Sequence, residues 1–90
     1  MTLKDAAAEE NVMNQKDKWL QVEAIKRKVI EAIGEDLSHD FRSSHAYQSY
    51  TAMCGETYFA FQDGQLDDRL IEMLDEYAQQ VIALKRDEAI

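Results

Sequence analysis

Between residues 66 and 84 the apolar side chains recur every three or four positions: Leu66, Leu70, Met73, Leu74, Tyr77, Val81 and Leu84. At about 100° per residue they share one side of a cylinder, and Asp68, Glu72, Asp75 and Glu76 fall across from them. Acids crowd the first turns, while Lys85 and Arg86 stand at the end, an order that suits the helix dipole. A helix patterned in this way cannot bury its stripe alone. The remaining sequence has to supply the other wall of a core.

The chain contains no proline, so the strongest helix breaker is missing and long helices are the expectation. Residues 12–33 repeat the amphipathic pattern, with Trp19, Val22, Ile25, Val29, Ile30 and Ile33 on one face. Lys18 and Lys26 flank this arc. Their stems can cover apolar surface while the ammonium groups reach toward the acids of the last helix. The alanine-rich residues before position 12 extend the helix backwards, and Gly34 is suited to end it in the left-handed conformation. A connection with a short helical turn near Leu37 follows, in which Ser38, Asp40, Ser43 and Ser44 are candidate N-caps.

Residues 46–62 admit two readings. Tyr47, Tyr50, Thr51, Tyr58, Phe59 and Phe61 are strand-favouring types, and Gly55 could sit in a hairpin turn. The helical count is better, because Tyr47, Tyr50, Cys54, Tyr58 and Phe61 are spaced three or four apart. Gly55 inside a helix costs about 1 kcal/mol against alanine, and its place there suggests the close approach of another backbone. Asp63 and Gly64 then make a short joint that turns the next helix back antiparallel. The expected fold class is therefore all-α, a single three-helix domain with helices over about 5–33, 42–62 and 65–87. The alternative is α+β, with a hairpin at 46–62 between two helices.

A second, lesser stripe accompanies two of these helices: Phe41, His45, Ala52 and Phe59 in the middle, and Ile71, Ala78 and Ile82 in the last. One stripe per helix is enough for one core, so the surplus predicts either a more buried middle helix or an uncovered apolar seam for a partner. Eleven of the apolar residues are alanines, which leaves few large side chains for the interior of a 90-residue domain and makes self-association an expectation as well.

The formal net charge is −8, from 18 acids against 10 lysines and arginines. Such a surface repels phosphate and argues against direct nucleic-acid binding, whereas it accelerates encounter with a basic protein. Residues 16–33 are the exception, with five basic side chains against three acids. A single cysteine forms no internal disulfide and fits a reducing compartment. The first residues lack a signal-peptide pattern, and no apolar run approaches the ~20 residues of a membrane span. A cytoplasmic location without membrane attachment is the expectation.

Signatures of catalysis are weak. His39, Asp40, His45 and Cys54 have neither zinc-finger nor helical His-pair spacing, and in the helical register Cys54 points into the core as a small hydrophobe. Neighbouring acids on a helix diverge by about 100° and make no acid–base dyad. The three glycines are isolated from one another and form no phosphate loop. Neither an enzyme nor a cofactor is expected. The predicted role is an inhibitor or adaptor that meets a basic macromolecular surface through Asp67, Asp68, Glu72, Asp75 and Glu76, with Phe41 and Phe59 as apolar contacts. Size, charge and helicity are shared with small inhibitors of phages and mobile elements, a likeness of composition only. The most concrete version is an antagonist of a host defence or nucleic-acid-processing protein, its carboxylates standing in for phosphates. The second expectation is a nucleotide-binding protein, with Tyr47, Tyr50 and Tyr58 lining a pocket and Lys26 or Arg42 meeting the charge.

Overall fold

The computed structural model describes the backbone of residues 3–89 and the side chains of residues 14–87. Four helices follow one another: α1 Leu3–Ile33, α2 His39–Arg42, α3 His45–Gln62 and α4 Asp68–Ala89. The fold is all-α, and the hairpin alternative at 46–62 is overturned, since that segment lies within one helix. Strand propensity yields here to tertiary context: the helical register buries Tyr50, Met53 and Thr57 together on one face. Gly55 is not at a turn and has nothing within 4 Å of where a Cβ would stand, so the expected close backbone approach is absent.

Capping chemistry accounts for where the elements stop. Gly34, at φ 72°, closes α1 with its N–H donating to the carbonyl of Ile30 at 2.8 Å, the left-handed cap that glycine adopts without strain. The expected short turn near Leu37 is α2, and the helix expected from residue 42 starts at residue 45, because two serines set the boundaries. Ser38 Oγ accepts from the Phe41 N–H and starts α2. Ser44 Oγ accepts from the Tyr47 N–H and starts α3, while donating to the Phe41 carbonyl at 2.6 Å. At the far end of α3, Gly64 also takes φ 72°. Gln65 N–H donates to Ala60 O and Gly64 N–H to Phe61 O, the paired bonds of a Schellman motif. The last helix begins at residue 68 rather than 65 because Asp67 is its cap: Asp67 Oδ1 accepts from the Leu70 N–H at 2.9 Å.

Helix α4 is the centre of the packing. It lies along both α1 and α3, which meet each other at far fewer points. Val22, Ile25, Val29 and Ile33 from α1, Phe41 from α2, and Tyr50 and Met53 from α3 close on Leu66, Ile71, Leu74, Ala78 and Val81. Serving two neighbours widens the buried arc of α4 and rotates it from the predicted phase. Ile71 and Ala78, expected on a spare stripe, are core, while Met73 of the main stripe sits at the surface. On α1, Ile30 is likewise 56 % exposed rather than buried. The surplus stripe of α4 is thus structural, and Phe41 is an interior side chain rather than part of a seam.

One polar side chain ties the bundle together. Gln15 of α1 is buried and grips the backbone of Leu66 with both ends of its amide: Nε2 donates to Leu66 O at 2.8 Å, and Oε1 accepts from Leu66 N–H at 2.9 Å. This satisfies two groups that the α3–α4 turn would otherwise bury unpaired. The molecule measures 59 × 19 × 18 Å, its length set by α1, whose 31 residues alone span about 46 Å at 1.5 Å per residue.

Candidate functional site

Two surfaces bring together the residues that the sequence singles out. The first is the outer side of α4. Asp68, Glu72, Asp75 and Glu76 fall within an arc of about 100° at helical spacing, with Asp68, Glu72 and Glu76 exposed and Asp75 half-buried. Asp67 stands apart as the N-cap, one oxygen already engaged. Asp75 Oδ2 accepts from Gln79 Nε2–H at 2.9 Å. Among the described residues none of the five carboxylates is joined to a lysine or arginine in an ion pair. Glu72 and Asp75 border a shallow hollow of about 340 Å³ against α1, floored by Ile25 and Ile71, with Lys28 on its far lip.

The second surface is the seam between α1 and α3. These helices run antiparallel, as the pairing of Trp19 with Tyr58 and Phe61 at one end and of Ile33 with Tyr47 at the other shows. Because they touch little, a cleft of about 460 Å³ opens between them near the α1–α2 connection. Four of the five residues expected around a ligand, Lys26, Arg42, Tyr47 and Tyr50, line it. Val29, Ile30, Ile33 and Leu37 supply apolar wall, and Gly34, Glu35 and Cys54 complete the lining. The fifth, Tyr58, lies outside the cleft, tilted against Trp19 with ring centroids 6.0 Å apart. Lys26 does not reach for the acids of α4: its Nζ sits 5.8 Å from the centre of the Trp19 ring, a cation–π contact.

Burial raises the Tyr50 hydroxyl far above the usual phenol range, and the neighbouring Cys54 adds to the effect. Burial also raises the Cys54 thiol, against a hydrogen bond from Tyr50 and the charge of Lys26, which both favour the thiolate. At neutral pH both groups keep their protons. The cleft therefore presents polar hydrogens and two cations, not an activated nucleophile.

Phe59 is 65 % exposed and Tyr58 46 %, and the two rings meet edge to face at 5.9 Å. Trp19 stacks on Phe61 at 4.9 Å and extends this aromatic group onto α1. His45 and Ala52, which share the second stripe of α3 with Phe59, are exposed as well. The Gln15 clamp leaves little trace in the sequence, since one glutamine in a helix carries no periodic signal. A polar side chain three places before Lys18, on the same face as Val22 and Trp19, was the one hint in the sequence.

Among the described residues no group of three or more His, Cys, Asp or Glu side chains converges to hold a metal, and no helix is long and apolar enough to cross a membrane. The chain matches no protein-family model, no curated protein and no solved structure, so what it does is argued from these two surfaces.

Proposed function

We propose that the protein is an inhibitor or adaptor that occupies a basic surface of another macromolecule with the outer side of α4. In its most concrete form it is a phage- or mobile-element-encoded antagonist of a host defence or nucleic-acid-processing protein. The observation that carries this reading is the row of α4 carboxylates that, among the described residues, are joined to no lysine or arginine, in a chain of net charge −8. Acids that stabilised the bundle would be expected to pair with the basic stretch of α1, yet Lys26 turns to Trp19 instead. Asp68, Glu72 and Glu76 place a charge about every 6 Å along the helix. A single DNA strand carries one per ~3.4 Å of axis, so the row would replace about every second phosphate. Phe59, open to solvent beside Tyr58, offers an aromatic anchor of the kind that dominates interface energetics.

The test is capture from the native host at low and at high salt, with wild type and with Glu72→Lys/Glu76→Lys in parallel. The expected partner is a nucleic-acid-binding protein that wild type retains at low salt, releases at high salt, and displaces from its DNA or RNA. Retention undiminished by the double reversal would remove the acidic face from the account.

A further inference from the structure

We infer that the α1–α3 cleft binds a small organic monoanion with a flat apolar body, independently of the acidic face. Its volume of about 460 Å³ falls in the range of small-molecule sites, about 300–1,000 Å³. Most of its wall is apolar, from Val29, Ile33 and Leu37, which fits a ring system or short hydrocarbon and no large polar group. The half-buried Tyr47 ring is placed to pack against such a body.

Charge selects further. This chain is strongly acidic, so an approaching anion is repelled by most of its surface. The cleft reverses the sign locally, because Lys26 and Arg42 both line it against the single carboxylate of Glu35. A balance of two cations and one acid suits one negative charge. A di- or triphosphate would bring more charge than the cleft can neutralise, and Glu35 would oppose it. Aryl carboxylates and cyclic nucleotides, whose phosphodiester carries one charge, share the required chemistry.

Titration of the full chain with 2-naphthoate and with 3′,5′-cyclic AMP separates these two sources, and 2-naphthalenemethanol serves as the neutral control. At least one anion is expected to bind saturably, the neutral alcohol about tenfold more weakly or worse. Arg42→Gln and Lys26→Gln, each checked for an unchanged helical spectrum and melting temperature, are expected to weaken the anion by about tenfold, the scale of a lost charge-assisted hydrogen bond. Backbone amide shifts on binding should centre on Gly34, Leu37 and Tyr47. Glu72→Lys/Glu76→Lys should leave the titration unaltered, because neither acid lines this cleft, so failure here and failure of the acidic face are told apart. No saturable binding by either anion, equal binding by the alcohol, or indifference to both substitutions would each overturn the inference.

Discussion

The two sides of α1 meet different fates. The side toward α4 is closed: Val22, Ile25 and Val29 share one buried cluster with Leu74 and Val81, and a shallow hollow opens beside them. The side toward α3 stays open, with Ile30 and Tyr58 in solvent and a cleft between the helices. Both sides use the same residue types, so composition does not set them apart. The difference lies in what each faces. Helix α4 presents leucine, isoleucine, valine and a small alanine, Ala78, which let helices approach closely. Helix α3 presents Tyr47, Tyr58 and Phe61 to α1, and bulky rings hold the axes apart. Stability is thus concentrated in α4 and its contacts, and the seam between α1 and α3 stays open.

The sharpest way to break this contrast is to truncate one residue on each side. Leu74→Ala removes a fully buried side chain from the closed interface and should cost about 3–4 kcal/mol, by transfer and cavity terms together. Ile30→Ala on the open side should cost under ~1 kcal/mol, since most of that side chain is already in water. Urea unfolding followed by circular dichroism reads both, and equal losses would refute the division. Next in size is Gln15→Ala, which strands the N–H and C=O of buried Leu66. A loss of about 2 kcal/mol is expected, with amide exchange at Leu66 accelerated ahead of that in α3. A loss below ~0.5 kcal/mol would mean that water replaces the clamp.

The smallest effect concerns pH. Tyr50 and Cys54 hold their protons more tightly in the folded state than their usual values of 10.0 and 9.0. Their contribution is therefore intact below pH ~9, and stability falls as pH rises beyond it, because the unfolded chain then loses protons that the folded chain retains. Tyr50→Phe with Cys54→Ala should flatten the decline of melting temperature between pH 9 and 11. An unchanged slope would show that neither group is as enclosed as the seam geometry implies.

How much of this the sequence revealed follows from the kind of signal each feature leaves. The all-α class and the three long helices are legible because burial on a helix repeats every three to four residues, and Gly34 and Gly64 mark the ends of α1 and α3 in plain view. The phase of α4 departs from its most regular stripe for a physical reason. A helix between two partners buries a broad arc, so choosing one stripe assigns Ile71 and Ala78 to the wrong face. Phe41 falls on the outer stripe only when the register of α3 is carried back across Ser43 and Ser44; in its own short helix α2 that ring turns inward. Lys26, Arg42, Tyr47 and Tyr50 were named together from chemistry alone, and their convergence is a property of the antiparallel pairing. The Gln15–Leu66 bond joins positions 51 apart, a distance over which no local pattern speaks.

The central place of α4 has a bearing on how the chain assembles during synthesis. Helices α1 and α3 emerge first, yet most of what each must bury is supplied by a segment translated after both. Until the ribosome has released that segment, their greasy faces have only each other, across a poorly matched seam. The nascent chain should accordingly stay protease-sensitive until α4 has emerged and then acquire resistance abruptly, rather than helix by helix.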